Sequence, residues 1–95
     1  MKQFHIFHAT GPNRFQEVQV QPRSYAGFVN ASFIEEAFEL SQNGHPSGEW
    51  ESYDTRSTSV GDVIQDDDKF FMVCGTGFVE LITAEEKEPE LEYPQ

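Results

Sequence analysis

The chain has 95 residues and a formal net charge of −11, from 17 acidic and 6 basic side chains. Its length suits one domain with one modest core, because two cores of half the size would each be too small to fold well alone. The acidic balance argues against nucleic acid and anionic membranes as direct ligands, since both are bound through Lys and Arg. The charge favours a basic protein, or the basic nucleic-acid-binding groove of a protein, as the partner.

A single cysteine, Cys74, excludes an internal disulfide. It lies in an apolar run, where we expect it to be buried as a small hydrophobic side chain. Residues 1–5 lack the long apolar core of a signal peptide, and no run approaches the about 18 apolar residues of a membrane span. These features predict a cytoplasmic protein.

The first third of the chain predicts two strands. Residues 3–9 alternate in the manner of a strand. Residues 15–21 also alternate and predict a half-buried strand in which Val18 and Val20 face inward. A Gly-Pro-Asn turn between the two would allow a hairpin, and Pro22 would end the second strand.

The segment that begins at Asn30 predicts the one helix of the domain. The side chain of Asn30 or Ser32 would cap its first N–H groups, and Asn43-Gly44 would end it in a left-handed turn. Apolar side chains recur at spacings of three and four and form one stripe, which comprises Phe33, Ile34, Ala37, Phe38 and Leu40. We expect this stripe to pack across a sheet.

Residues 43–57 form a long loop, in which Trp50 would either fold over the core as a lid or contribute to a binding surface. Residues 60–65 and 69–74 predict the strands of a hairpin whose turn is formed by three aspartates. A Gly-Thr-Gly bend and a further strand over residues 78–81 follow.

The predicted fold is α+β, with a mostly antiparallel sheet of four to five strands and one α-helix packed on one face. It occupies residues 1–84 as a single domain. Residues 85–95 are acidic and poor in apolar side chains, and they predict a flexible tail. We expect one core to join the helix to the sheet, with contributions from Phe33, Phe38, Val63, Phe71 and Val73.

The residue pattern gives little support to catalytic or metal sites. His5 and His8 would point to opposite faces of a strand, and no His-Glu-x-x-His pattern is present. The chain also lacks a Gly-x-Ser-x-Gly nucleophile elbow and a Gly-Lys-Ser/Thr phosphate loop. We therefore expect a non-enzymatic protein without a cofactor or metal.

The segment Arg56-Ser57-Thr58-Ser59-Val60-Gly61-Asp62-Val63 admits two interpretations. In the architectural one, Arg56 pairs with a carboxylate or caps a carbonyl, Gly61 adopts a positive φ and Asp62 accepts backbone N–H groups. In the functional one, Arg56 and the three hydroxyl side chains after it line a binding surface together with Trp50.

This Arg-Ser-x-Ser-Val-Gly-Asp-Val motif lies between a helix and Trp-containing loop on one side and a hairpin ending in Gly-Phe-Val-Glu-Leu on the other. In that arrangement the chain resembles the YodL-like family of small domains from phages and integrative elements. The resemblance covers residues 31–81, although members tend to carry paired tryptophans where this chain has only Trp50. It implies a phage or mobile-element origin, and hence the cytoplasm of a bacterial host cell, but no catalytic residue.

Charge, motif and resemblance together predict a small acidic accessory protein that binds another protein. One form of this function is inhibition of a host defence nuclease by nucleic-acid-like, or DNA-mimic, acidity. The residues expected to contact the partner are Glu35, Glu36, Glu39, Asp66, Asp67, Asp68, Trp50 and Arg56. The alternative is a domain that binds a small ligand or nucleotide through the Trp50 loop and Arg56–Ser59.

Truncation after Ala84 should leave the melting temperature nearly unchanged, because residues 85–95 carry two prolines and offer little apolar surface to bury. Differential scanning calorimetry of the full chain and the truncated chain measures this. A loss of several degrees would show that Leu91 or Tyr93 packs on the core.

Overall fold

The computed structural model describes residues 1–42 and 56–81, together with the backbone of residues 51–52 and 91–92. One helix, α1 (Ile34–Leu40), and one sheet are present in these residues. The strands are β1 (Lys2–Ala9), β2 (Arg23–Ala31), β3 (Glu51–Ser52), β4 (Val63–Asp66), β5 (Lys69–Cys74), β6 (Gly77–Glu80) and β7 (Leu91–Glu92). In the described part of the chain, no helix is long and apolar enough to cross a membrane.

The five longer strands form an antiparallel sheet in the order β2-β1-β4-β5-β6. The two-residue strand β3 adds antiparallel to β2, and β7 runs parallel to β2. β4, β5 and β6 follow one another as a meander with two-residue turns at Asp67-Asp68 and Gly75-Thr76. The predicted α+β fold with a mostly antiparallel sheet is confirmed, and β5 has its predicted bounds.

The predicted strand over residues 15–21 is wrong, because the hairpin partner of β1 is β2. Val20, expected to face inward, is 54% exposed. β2 is difficult to recognise in the sequence because its burial alternates only over residues 27–31, whereas residues 23–26 do not follow the pattern. It also contains a bulge, where the register to β1 shifts between Ile6 and Phe7.

Residues 10–22 instead form an Ω-loop, a compact loop whose two ends lie close together. At its base, the N–H of Thr10 donates to the carbonyl of Pro22 at 3.1 Å. Within the loop, the side-chain amide of Gln21 donates to the carbonyl of Val18 at 3.0 Å. Polar side chains of the loop thus supply hydrogen bonds that a neighbouring strand would supply in a sheet.

Helix α1 begins later than the sequence predicts, and the predicted caps are wrong. Asn30 belongs to β2, and the N-cap position is taken by Phe33, whose side chain makes no capping hydrogen bond. The carboxylate of Glu36 instead accepts the N–H of Ser32 at 2.7 Å. The predicted stop at Asn43-Gly44 lies outside the described residues.

The apolar side chains form two clusters on opposite faces of the sheet, so the expectation of one core is wrong. The helix-side cluster consists of Phe4, Ile6, Ala26, Val29, Ala31, Ala37, Leu40, Ile64 and Val73. The cluster on the other face consists of Phe7, Val63, Met72 and Leu81. Successive strand residues point to opposite faces, which explains why neighbours such as Val63 and Ile64 enter different clusters.

Three side chains differ from the expectation that they are buried, and one of them, Phe71 of the predicted core, is half-buried and belongs to neither apolar cluster. Phe33 is 55% exposed because it precedes the first turn of α1. Cys74, expected to be buried, is only half-buried where it packs against the second cluster. Phe38 packs as predicted against the helix-side cluster, with its ring centroid 6.1 Å from that of Phe78.

Several predictions concern residues whose structure is not described. Trp50 and most of the long loop lie outside the described residues. Of residues 85–95, only the backbone of β7 is described, where it pairs with Arg23 and Ser24 of β2. The dispensability of this segment stays a prediction.

Replacing Phe4 or Phe33 by alanine should have different effects on the free energy of unfolding. Phe4→Ala should lower the free energy of unfolding by about 3–5 kcal/mol, because the ring is fully buried under α1. Phe33→Ala should cost less than about 1 kcal/mol, because its ring is more than half exposed. Urea denaturation of both variants measures the difference; equal costs would contradict the described packing of α1.

Candidate functional site

The Arg-Ser-x-Ser-Val-Gly-Asp-Val motif leads the chain into β4 through a turn at Gly61. Gly61 has a φ of +91°, as its predicted left-handed conformation requires. A Cβ at this position would lie 2.5 Å from the backbone oxygen of Gln16, so the turn and the Ω-loop meet backbone against backbone. The N–H of Asp62 donates to the carbonyl of Ser59 at 3.1 Å and closes the turn.

The carboxylate of Asp62 is fully buried and accepts four hydrogen bonds from residues that the structure describes. Its Oδ1 accepts from the N–H of Ala9 and from Nη2 of Arg56, both at 2.8 Å. Its Oδ2 accepts from the N–H of Ser59 and from Nη1 of Arg56, both at 2.7 Å. The predicted roles of Asp62 as a brace for backbone N–H groups and of Arg56 as a partner of a carboxylate are confirmed.

Arg56 also binds backbone carbonyls on both sides of this ion pair. Its Nη2 donates to the carbonyl of Ala9 and its Nη1 to that of Ser57, each at 3.1 Å. The guanidinium carbon lies 4.9 Å from the ring centroid of Phe15. The side chain is 24% exposed, and the donors described here are directed to the end of β1 and to the motif itself.

A second arginine, Arg23, is fully buried beside the motif. Its Nε donates to the carbonyl of Gly61 at 2.8 Å, and its Nη atoms donate to the carbonyls of Val18 and Gln19 at 2.8 and 3.0 Å. Burial lowers the pKa of this guanidinium, and the negative charge of Asp62 opposes that shift. Sequence reasoning misses Arg23 because arginine is rarely buried completely, so a single arginine at a strand start carries no signal.

His8 completes the buried network. Its Nε2 lies 3.2 Å from Oγ1 of Thr58 and 3.9 Å from Oδ2 of Asp62. A histidine, a hydroxyl and a carboxylate therefore lie together, but each is at most 2% exposed. Because a catalytic group must reach its substrate, this arrangement supports the architectural interpretation of the motif.

The carboxylates predicted on the helix differ in their local roles. Glu35 and Glu39 are exposed, lie one helical turn apart and so repel each other mildly. Glu36 is partly buried and binds the backbone ahead of the helix, as its bond to Ser32 shows. Helix α1 packs against β2 and β4, which places these glutamates on the same side of the sheet as the helix.

The three aspartates lie where β4 turns into β5. Asp66 is the last residue of β4, and Asp67 and Asp68 form the exposed two-residue turn, with Asp67 in a left-handed conformation at a φ of 57°. Nζ of Lys2 lies 2.7 Å from Asp66 and 3.7 Å from Asp67, and these carboxylates raise the pKa of the lysine. One of the few cations of the chain therefore partly neutralises this turn.

The remaining histidine and cysteine side chains of residues 1–42 and 56–81 are not grouped into a metal or nucleophile site. Among the residues that the structure describes, no three His, Cys, Asp or Glu side chains could hold a metal ion together. Burial raises the pKa of the Cys74 thiol, and the carboxylate of Glu17 adds to the shift, which makes the thiol a weaker nucleophile at neutral pH. His5 binds the hydroxyl of Tyr25 at 2.7 Å, and burial lowers its pKa.

No family model, no curated protein and no solved structure matches the chain. The resemblance to the YodL-like domains therefore stays a prediction from the residues of the motif. Within the motif, the structure brings Arg56, Gly61 and Asp62 together in a turn that an ion pair stabilises. Trp50, which was predicted to join Arg56 in a binding surface, lies outside the described residues.

Replacing Asp62 by Asn should destabilise the fold by on the order of 3 kcal/mol, because it removes the buried negative charge that faces Arg56 and Arg23. Asp68→Asn, an exposed turn substitution, is the control and should change the free energy of unfolding by less than about 0.5 kcal/mol. Chemical denaturation measures both values. Equal effects of the two substitutions would contradict the role assigned to Asp62.

Proposed function

We propose that the protein is a small acidic, non-enzymatic accessory protein of phage or mobile-element type that acts by binding another protein in the cytoplasm of a bacterial host. The observation that carries the proposal is the charge of −7 that residues 1–84 retain when the acidic tail is left out. In its specific form, carboxylates of the domain occupy a basic groove of a host defence nuclease, where they replace nucleic-acid phosphates and inhibit the enzyme.

The exposure of the carboxylates supports this proposal. Glu35 and Glu39 on α1 and Asp67 and Asp68 at the β4–β5 turn are all exposed. α1 contacts β4, the strand that leads into this turn. The helix glutamates and the turn aspartates are therefore carried by neighbouring elements, which suits a joint role in contacting a basic surface.

The alternative, a small-ligand or nucleotide site at the Trp50 loop and Arg56–Ser59, is less well supported. The guanidinium of Arg56 would be the natural phosphate ligand, but it is bound in bidentate fashion by Asp62. A phosphate would have to compete with this buried carboxylate and with two backbone carbonyls. Thr58, the central hydroxyl of the cluster, is 2% exposed and faces His8.

The proposal is tested by capturing the partner from the native host at low and high salt, and then measuring its association rate constant with purified protein. Changing the three helix glutamates together to glutamine should lower the rate constant about tenfold and flatten its salt dependence, because long-range attraction is weakened. The variant is Glu35→Gln, Glu36→Gln, Glu39→Gln.

A control variant that loses the same number of charges distinguishes the effect of the helix glutamates from the effect of net charge. It is Glu85→Gln, Glu86→Gln, Glu88→Gln, which removes the same charge from the predicted tail. We expect the control to reduce the rate constant much less than the helix variant does. Equal effects of both variants, or a rate constant that does not depend on salt, would contradict binding through the helix carboxylates.

A further inference from the structure

The Ω-loop (residues 10–22) is fixed to the rest of the protein by contacts from several directions. The buried Arg23 binds the carbonyls of Val18 and Gln19, and the backbone of Gln16 lies against Gly61. The carboxylate of Glu17 accepts the N–H of Gly75 in the β5–β6 turn at 3.2 Å. These contacts hold the loop in one conformation, although it contributes no residue to either apolar cluster.

Phe15 is the most unusual residue of this loop. Its φ is 68°, a left-handed conformation that bulky residues rarely adopt because it costs free energy. The residue is 52% exposed, so burial in the core does not offset this cost. Strained residues of this kind are found preferentially at functional sites, where the surrounding structure maintains them.

The chemistry around Phe15 resembles that of a protein-binding hot spot. The guanidinium of Arg56 lies over the ring at 4.9 Å from its centroid. Val20, on the same loop, is 54% exposed. An exposed aromatic ring next to an arginine, on a rigid loop whose other residues are mostly polar, is typical of the few residues that dominate protein–protein binding.

We propose that the Ω-loop is a contact surface for a protein partner, with Phe15 entering an apolar pocket of that partner and Val20 as a second contact. This inference rests on the proposed function that the chain binds another protein. A second copy of the chain and an anionic membrane are both disfavoured as occupants, because a net charge of −11 repels each of them. The exposed Arg14 next to Phe15 and the Arg56 guanidinium over its ring favour acidic groups at the rim of the partner's pocket.

The first test asks whether Phe15 serves stability or binding. Asparagine tolerates the left-handed conformation well, so Phe15→Asn relieves the backbone while it removes the ring. The melting temperature of this variant should stay within about 3 °C of the original value or rise. A clear decrease beyond that would show that the ring serves the fold, which would overturn the proposal.

The second test uses a photo-reactive phenylalanine analogue placed at position 15 of the full chain, in cells of the native host. The matched control carries the analogue at position 79, because Val79 is also exposed, at 42%, but lies on β6 away from the loop. We expect a discrete adduct with another protein from position 15 only. No adduct at position 15, equal adducts at both positions, or an adduct with a second copy would overturn the proposal.

The cross-linked partner is then purified, and its affinity is measured by isothermal titration calorimetry. Phe15→Asn and Phe15→Ser/Val20→Ser should weaken binding about tenfold or more, whereas Val79→Ser should not change it. If the helix glutamine variant weakens binding and the loop variants do not, the loop proposal fails and the proposed function survives. If neither set of variants changes the affinity, both proposals fail.

Discussion

The buried carboxylate of Asp62 is the group on which most of the described structure depends. It joins the end of β1 through Ala9, the approach to the turn through Ser59, and the guanidinium of Arg56. Burying a carboxylate without partners is very costly, and two backbone N–H groups together with the bidentate ion pair to Arg56 offset that cost. Because every donor has to lie within reach of one small group, the positions of the neighbouring segments are tightly constrained.

Because Asp62 constrains its neighbours in this way, the motif stabilises the fold, although its residue types are also those of catalytic and ligand-binding sites. Its arginine, aspartate, threonine and the neighbouring histidine are bound to one another or to the backbone within the described residues. The constraint extends to the Ω-loop through the carbonyl of Gly61, which accepts from the buried Arg23. A rigid loop with a strained, exposed Phe15 is one consequence, and function is better sought on such outer surfaces than inside the motif.

The motif was also the part of the structure that the sequence predicted best. A glycine followed by an aspartate, with an arginine nearby in an acidic chain, indicates a left-handed turn, a brace and an ion pair, and all three are present. These are local relations, set by chain geometry over a few residues. The α+β fold and the β5 strand could be predicted for the same reason, from alternation and turn residues close in sequence.

The errors concern contacts between residues far apart in sequence. Val18 and Val20 alternate with glutamines as in a strand, but their loop is held by the buried Arg23 and by Gln21, whose burial no local pattern indicates. The alternation of β2 is limited to residues 27–31 because a bulge against β1 interrupts it, and Phe33 follows the helical spacing but lies before the first turn. The proposed binding surface of exposed carboxylates likewise depends on the tertiary arrangement of residues far apart in sequence.

A double-mutant cycle between Arg56 and Asp62 tests the central claim most directly. The free energies of unfolding are measured for Arg56→Gln, Asp62→Asn and the combined variant. If the pair anchors the fold, the combined loss should be smaller than the sum of the single losses by about 2–3 kcal/mol. Additivity within about 0.5 kcal/mol would show that the two side chains act independently, and it would contradict the architectural account of the motif.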